Sequence, residues 1–335
     1  MGKLILPCGY QSKLSLKDTQ KAIKFIKDTF QKRLSEELNL DRVTAPLLVT
    51  KKSGLNDDLN GVERKVSFDL KNAEGDIEIV QSLAKWKRYA LYRYGYTKGE
   101  GIYTDMNAIR RDDDMDNIHS VFVDQWDWER VVGKEERTVE FLKDVVTKIV
   151  KAISDVKKMV NEKYNIFKTE LNDDVYFITS QELLDMYPDL SAKEREYEIV
   201  KKHKTVFIMQ IGNILSNGEK HDGRAPDYDD WSLNGDIMFY NEILDIAFEI
   251  SSMGIRVDKE SLKTQLKISN CEDRKEFDYH KSILDDVLPL TIGGGIGQSR
   301  LCMLMLEKAH IGEVQSSIWS EEMIKECEKN KIILL

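Results

Sequence analysis

The sequence predicts a single α+β domain. Helix-like and strand-like patterns follow one another irregularly along the 335 residues, without the regular strand-helix alternation of a doubly wound sheet. The chain has five prolines and no glycine/serine tract that would separate two domains. We therefore expect residues 1–335 to fold as one unit.

The first element is a long amphipathic helix. Ser15 and Asp18 are spaced as in a capping box, which marks the start of a helix. Apolar residues then recur at nearly helical spacing, as expected for a helix with one face in the core. These residues are Leu16, Ile23, Ile26, Phe30, Leu34 and Leu38.

A hairpin and a short helix are predicted next. The turn signal at 72–75 is flanked by alternating apolar residues in 66–70 and 77–79, a pattern typical of an antiparallel hairpin. We expect Ser82 to start a helix that ends near Gly95.

Three kinds of pattern fill the middle of the chain. Apolar residues at helical spacing predict a second long helix over 137–164. Segments 205–211 and 235–240 are predicted strands. Ser191 and Glu194 are spaced as a second capping box and predict a further helix start.

Composition and charge exclude several classes of protein. With 41% hydrophobic and 33% charged residues, the chain belongs to the soluble globular class. Its apolar runs are too short to cross a bilayer, and its formal net charge of −9 opposes attraction to phosphate backbones. We therefore expect neither a membrane nor a nucleic acid as partner. The N-terminus lacks a signal-peptide pattern and the four cysteines lack metal-type spacing, which favours a cytoplasmic location.

One extended segment is unusually polar in its second half. Gln125, Asp127 and Glu129 share one face, while Trp126 and Trp128 share the other with a further acid. Two interpretations remain open. The segment is either an edge strand with one solvated face or the floor of a site for a polar ligand.

A glycine run precedes an apolar helical stretch. Gly293 and Gly295 are followed by Gln298 where a dinucleotide fingerprint needs its third glycine, and the sequence contains no P-loop motif. The glycines are expected to allow close backbone approach and positive φ. Arg300 has the planar cation needed to stack on adenine, although a surface arginine at a helix start is the alternative.

Acids and arginines elsewhere also allow two interpretations. The three acids after Pro226 are expected by default in a solvated turn. Asp236 and Glu249 lie among apolar residues and therefore need a partner, for which Mg²⁺ carrying nucleotide phosphates is suitable. Arg110 belongs either to a surface salt-bridge cluster or to a phosphate clamp.

Five blocks of sequence together resemble the aspartate–ammonia ligases, which are ammonia-dependent asparagine synthetases. The resemblance runs from about residue 10 to about residue 320. It implies the catalytic fold of the class II aminoacyl-tRNA synthetases, with an antiparallel sheet flanked by helices, working as a homodimer. The blocks are residues 80–88, 119–130, 224–231, 248–256 and 293–300.

The resemblance also implies roles for residues at an ATP site. The arginines are expected to hold the α-phosphate and acyl group (Arg110) and the adenine (Arg300). Carboxylates at Asp236 and Glu249 are expected to position Mg²⁺ and ATP. The remaining implied positions are the ATP-binding glycines Gly293, Gly294 and Gly295, and Pro46 at the dimer interface.

For L-aspartate and ammonia, the resemblance implies a second group of residues. Lys87 offers positive charge to a carboxylate, and Asp127 and Asp229 accept hydrogen bonds from the α-ammonium group. Gln125 holds the reacting carboxyl oxygen. The acid for the ammonia step is Asp57, with Asp58 next to it, and Ser82 and Ser252 complete the aspartate site.

The implied reaction is ATP-dependent conversion of aspartate and ammonia to asparagine, AMP and pyrophosphate through β-aspartyl-adenylate. A glutamine-dependent enzyme would need a cysteine after Met1, and residue 2 is glycine. Two alternative functions predict different features of the sequence. An aspartyl- or asparaginyl-tRNA synthetase would carry an anticodon-binding domain. A non-catalytic paralogue that binds aspartate or adenylate is expected to lose the arginines or the acidic pair.

Overall fold

A large sheet surrounded by helices forms the body of the molecule. The computed structural model describes residues 4–57, 59, 63–72 and 75–335. The helices are α1 (Leu16–Leu38), α2 (Ala84–Tyr94), α3 (Val139–Tyr164), α4 (Ser180–Met186), α5 (Ala192–His203), α6 (Lys259–Ile268), α7 (Asp278–Leu284), α8 (Gln298–Met305) and α9 (Glu321–Lys329). The strands are β1 (Leu40–Arg42), β2 (Leu48–Thr50), β3 (Ser67–Phe68), β4 (Ile77–Ile79), β5 (Gly101–Ile109), β6 (Phe122–Val131), β7 (Tyr176–Thr179), β8 (Thr205–Met209), β9 (Asp229–Asn241), β10 (Ile246–Arg256) and β11 (Thr291–Gly297).

The main sheet is antiparallel except at its two edges. Within the described residues it has eight strands in the order β1-β5-β6-β11-β10-β9-β8-β7. All pairs from β5 to β8 are antiparallel, and the outermost pairs β1/β5 and β7/β8 are parallel. The predicted α+β class and antiparallel sheet flanked by helices are confirmed. Within the described residues, a small second sheet, β2-β4-β3, contains the two strands of the predicted hairpin as the antiparallel pair β3 and β4; residues 73–74 of its predicted turn lie outside the described residues.

The long helices pack against one face of the sheet. The side chain of Ser15 caps α1 by accepting a hydrogen bond from the amide of Asp18, as the sequence predicts. On the face towards the sheet, the ring of Phe30 lies 4.8 Å from that of Trp126. Both tryptophans of β6 are fully buried in this core, so the aromatic side of the polar segment faces α1 and α3.

The opposite side of β6 is polar but not solvated. Asp127 and Glu129 are 3% and 0% exposed. Helix α2 covers this side, and the ammonium group of Lys87 lies 3.2 Å from Oδ1 of Asp127. The edge-strand interpretation is therefore wrong, because β6 is a central strand whose polar face is enclosed by other protein groups.

The predicted element boundaries hold to within a few residues in most places. Helix α3 begins at Val139 after its cap Thr138, and the Ser191–Glu194 capping box starts α5. Helix α2 starts two residues after Ser82, whose hydroxyl accepts a hydrogen bond from the amide of Ala84 at 3.1 Å. Strand β9 begins at 229, six residues before the predicted strand at 235. None of the helices in the described segments is long and apolar enough to serve as a membrane span.

The segment after Pro226 is not the solvated turn that its composition suggests. Its three acids are at most 7% exposed. Buried carboxylates require partners, and each of these has a cation. The pairs are Asp227 with Lys85 and Arg274, Asp229 with Arg256, and Asp230 with Arg137.

Candidate active site

A cavity of about 640 Å³ opens on the polar side of the sheet. It is bounded by the ends of β5 and β6, by β10 and β11, by the start of α8 and by the segment before β9. Six residues selected from the sequence line it together, although they are up to 190 positions apart in the chain. They are Arg110, Gln125, Glu249, Ser252, Gly295 and Arg300.

The glycine run lies in strand β11 rather than in a loop. None of Gly293, Gly294 and Gly295 has positive φ, so that part of the expectation is wrong. Close approach is the reason for glycine here. A Cβ on Gly293 would lie 2.0 Å from Oε2 of Glu129, and one on Gly295 would lie 2.3 Å from Oε1 of Gln125. The missing side chains leave room for the polar face of β6.

Lys87 connects α2 to the floor of the site. Its Nζ donates to the carbonyl of Gly294 at 2.9 Å and lies 3.2 Å from Oδ1 of Asp127. Burial lowers the pKa of Lys87, whereas the neighbouring Asp127 raises it. Oδ2 of Asp127 is buried and accepts no hydrogen bond from any described residue. A ligand amine is a suitable donor for this oxygen.

Asp229 is held by an arginine that sequence reasoning did not select. Arg256 pairs with Asp229, and it also forms a bidentate contact with Glu129, with Nη2 at 2.8 Å and Nε at 3.0 Å. Thr291 donates to the same carboxylate at 2.6 Å. Burial alone would raise the pKa of Glu129, but Arg256 outweighs it and the pKa is lowered. The signal was available, since both Arg256 and Glu129 stand inside blocks of the family resemblance.

Asp57 lies outside the lining of the cavity, in a buried loop. Its Oδ1 accepts a hydrogen bond from the amide of Leu59 at 2.9 Å, while its Oδ2 has no partner among the described residues. Burial raises the pKa of Asp57; the charge of Lys85 lowers it and that of Asp227 raises it. The adjacent Asp58 is outside the described residues.

Gln81 links the Asp57 loop to Arg110. Its side-chain amide donates to the carbonyl of Asp57 at 3.3 Å, and its own carbonyl lies 3.4 Å from Nε of Arg110. Arg110 directly follows β5 and lines the cavity, a position that favours the phosphate-clamp interpretation of this residue over the surface salt-bridge cluster. Gln81 was not selected from the sequence, although it stands next to Ser82 in a family block.

Asp236 and Glu249 come from the adjacent antiparallel strands β9 and β10. Burial raises the pKa of Asp236 to about 7; Arg224, its ion-pair partner, lowers it and Glu249 raises it. The described residues contain no cluster of three or more metal-type ligands. A magnesium ion that carries nucleotide phosphates needs only one or two carboxylates, so this pair fits such an ion.

The remaining predicted residues are not part of the cavity lining. Asp127 and Asp229 are buried in their ion pairs with Lys87 and Arg256. Ser82 lies just before α2. Ser252, which does line the cavity, is paired with Gly295 across β10 and β11. Gly294 points away from the cavity side, towards Met253. Six of the predicted positions thus line one cavity, and the assignment of the others to the same site stays a prediction.

The fold resembles solved aminoacyl-tRNA synthetases. The asparaginyl-tRNA synthetase of Entamoeba histolytica in complex with asparaginyl-adenylate matches with a TM-score of 0.64 at 12% identity. The match covers 90% of this chain and 66% of that one, so this chain spans about two thirds of the synthetase. The protein therefore has the catalytic fold of the class II aminoacyl-tRNA synthetases.

Sequence comparison defines the family within that class. The aspartate–ammonia ligase family model matches residues 17–331. The aspartate–ammonia ligase of Clostridium tetani is 60% identical over 334 residues, covering 99% of this chain and 98% of that protein. The same enzyme of Ruminiclostridium cellulolyticum is 58% identical over the full length of both chains. This chain belongs to the aspartate–ammonia ligase family, whose members are ligases that form a carbon–nitrogen bond.

Proposed function

We propose that this protein makes L-asparagine from L-aspartate and ammonia, with ATP cleaved to AMP and pyrophosphate through β-aspartyl-adenylate. One observation carries the proposal. In a member of this family, two cavity arginines suited to a nucleotide, Arg110 and Arg300, share one cavity with the polar floor formed by Gln125 and its neighbours. The full-length family match favours this function over a tRNA synthetase or a non-catalytic paralogue.

The substrate aspartate binds next to the buried charged side chains of the site. Asp127 and Asp229 accept hydrogen bonds from the α-ammonium group, and the unpartnered Oδ2 of Asp127 supports this role. Lys87 supplies positive charge for a carboxylate. Ser82 and Ser252 contribute hydroxyl groups at the edge of the site. We place the β-carboxylate on the side of the nucleotide, because Gln125 and Arg110 line the same cavity.

ATP binds across the cavity against strand β11. The guanidinium of Arg300 stacks on the adenine. Of the assigned ATP-binding glycines Gly293, Gly294 and Gly295, it is Gly295 that lines the cavity, and its bare backbone allows the ligand to approach the sheet. Asp236 and Glu249 hold Mg²⁺, which neutralises charge on the phosphates when it is bound.

The first half-reaction joins the β-carboxylate to the α-phosphorus. Arg110 stabilises the negative charge that develops on the α-phosphate, and Gln125 holds the reacting carboxyl oxygen by a hydrogen bond. Pyrophosphate leaves, and the carboxylate becomes an acyl group with AMP as its leaving group.

The second half-reaction is attack by ammonia on the acyl carbon. We assign Asp57 to this step, as the group that attracts ammonium or accepts a proton from it. The unpartnered Oδ2 of Asp57 supports this role. Gln81 contacts the Asp57 loop through its side-chain amide and Arg110 through its backbone carbonyl, and so connects the groups of the two half-reactions through a single residue.

We also propose that residues 1–335 act as a single catalytic domain, as a homodimer with Pro46 at the interface. The net charge of −9 opposes attraction to a nucleic acid, and the apolar runs are too short to cross a bilayer, which supports a protein with neither as partner. We propose the cytoplasm as its location.

Product analysis tests the proposal. The protein is incubated with ATP, Mg²⁺, L-aspartate and ammonium chloride, and glutamine replaces ammonium in a parallel sample. We expect asparagine and AMP in equal amounts, with ammonium only. Formation of ADP would contradict adenylation, and absence of turnover would favour the non-catalytic paralogue.

A further inference from the structure

Both carboxylates of the proposed metal site are paired with arginines of the same cavity. Arg224 forms an ion pair with Asp236 through Nη2 and Oδ1. Arg300 lies 3.8 Å from Oε2 of Glu249 and donates to the backbone carbonyl of the same residue at 3.0 Å. Both arginines and Glu249 line the cavity.

The Arg224–Asp236 pair is the more enclosed of the two. The side chains of Arg224 and Asp236 are 12% and 5% exposed. Nε of Arg224 is buried and has no hydrogen-bond partner in the part of the chain that the structure describes. An arginine held by one carboxylate, with a buried donor to spare, has capacity for a second anionic partner.

A divalent cation and a guanidinium group compete for the same oxygen of Asp236. If a cation took this oxygen alone, Arg224 would remain in a buried setting without its counter-charge, which is strongly unfavourable. Nucleotide phosphates remove this penalty, because a guanidinium group can bind phosphate oxygens in the same bidentate manner in which it binds a carboxylate.

We propose that Arg224 couples cation binding to nucleotide binding, by exchanging the carboxylate of Asp236 for phosphate oxygens of the nucleotide. The cation then takes the oxygen of Asp236 that Arg224 releases. This inference rests on the proposed ATP and Mg²⁺ site. Because coupling between two ligands is reciprocal, the cation strengthens nucleotide binding by the same factor.

Arg300 is suited to a similar exchange at Glu249. Its guanidinium is proposed to stack on adenine, and stacking is compatible with release of the Glu249 side chain 3.8 Å away. Adenine and phosphates would thus each engage one of the arginines that pair with the metal-binding carboxylates.

Mn²⁺ titration followed by electron paramagnetic resonance tests the coupling without turnover. Wild type, Arg224→Met and the double variant Arg224→Met/Asp236→Asn are compared, with and without α,β-methylene-ATP, after correction for Mn²⁺ held by free nucleotide. Arg42→Met is the control, because Arg42 forms a surface pair with Asp105. The Arg224→Lys variant keeps the charge and provides a second measurement if the methionine variant folds poorly.

In the wild type, we expect Mn²⁺ to bind roughly tenfold more tightly when the nucleotide analogue is present. In the absence of nucleotide, Arg224→Met should bind Mn²⁺ roughly tenfold more tightly than wild type, and Asp236→Asn should abolish that gain. Arg224→Lys should fall between wild type and Arg224→Met, and Arg42→Met should behave as wild type.

Equal Mn²⁺ affinity with and without nucleotide in the wild type would overturn the inference. So would an unchanged affinity in Arg224→Met, or a gain that survives Asp236→Asn. If the product assay nevertheless yields asparagine and AMP, the proposed function stands while the coupling through Arg224 is wrong.

Discussion

The ammonium group of Lys87 lies 3.2 Å from Oδ1 of Asp127, and neither side chain is accessible to solvent. Lys87 thus occupies one oxygen of the carboxylate, while Oδ2 has no partner in the described structure. A buried acceptor without a partner is uncommon and is expected to be satisfied when a ligand binds.

Asp127→Asn should therefore weaken aspartate binding while preserving the fold. The amide oxygen still accepts from Lys87, but the charge available to the α-ammonium group is lost. A charge-assisted hydrogen bond contributes about 1.5–3 kcal/mol, so the KM for aspartate should rise roughly 10- to 100-fold. Aspartate-dependent pyrophosphate exchange measures this change. Asp144→Asn, which alters an exposed pair with Lys148, should leave the KM unchanged.

Arg256→Met should destabilise the protein severely. Arg256 is the shared partner of Glu129 and Asp229, and all three side chains are buried. Removing one partner of a buried ion pair costs about 3–5 kcal/mol because the remaining charges are uncompensated. Urea unfolding measures the loss.

The control for Arg256→Met is Arg42→Met, which removes an exposed arginine from a surface pair. Its cost should stay below about 1 kcal/mol. Equal losses in the two variants would show that the buried network contributes no more than a surface contact.

Gly295→Ala should abolish activity. The new Cβ would lie 2.3 Å from Oε1 of Gln125 and 2.7 Å from Oδ1 of Asp127, so both proposed substrate-binding side chains must move. Asparagine formation measures the effect. Gly75→Ala is the comparison, since Gly75 has φ of 81° but no atom within 4 Å of its Cβ position. That variant should lose about 1–2 kcal/mol of stability and keep its activity. Retained activity in Gly295→Ala would contradict the close-approach explanation.

Asp57→Asn should separate the two half-reactions. Pyrophosphate exchange should stay within a few-fold of wild type, whereas asparagine formation should fall roughly 10²- to 10⁴-fold, the usual contribution of a general base. Burial raises the pKa of Asp57, so its ionised form requires a higher pH than an exposed aspartate does. The ammonia step of wild type should therefore slow as the pH falls through that pKa, and the variant should lose this dependence. Equal loss of both activities would refute the assignment.

The ionised carboxylate of Glu307 should stabilise the folded protein at neutral pH but not at strongly acidic pH. Burial raises its pKa, but hydrogen bonds from Lys13 and from the amides of Lys168 and Thr169 outweigh burial and lower the pKa to about 2. Since the folded pKa lies below the ordinary value of 4.5, the contribution is complete above about pH 5 and disappears as the pH falls towards 2. The difference corresponds to about 3 kcal/mol.

Urea unfolding of wild type and Glu307→Gln between pH 7 and pH 3.5 tests the contribution of Glu307. The stability gap between the two proteins should be largest at pH 7 and should narrow as the pH falls. Glu36→Gln is the control, because Glu36 forms an exposed pair with Lys32. A gap that does not depend on pH would rule out a role for ionisation of Glu307.

The local elements were determined by the sequence alone. Helix starts at Ser15 and Ser191 and the hairpin at 67–79 depend on groups a few positions apart, so short patterns report them correctly. The five family blocks also identified the class of fold, because their order and spacing are properties of the chain. Six predicted site positions accordingly line one cavity.

Only the tertiary structure decided the electrostatic arrangement of the site. Arg256 and Glu129 are 127 positions apart in the chain, and no local pattern shows that they meet. The segment after Pro226 has the composition of a solvated turn, yet its acids are buried against lysine and arginine side chains from other parts of the sequence. The glycines of β11 are explained by the polar side chains of the neighbouring strand rather than by their own φ angles. Burial and charge pairing depend on residues that are far apart in the sequence and meet only when the sheet forms. A local sequence pattern contains no information about such contacts.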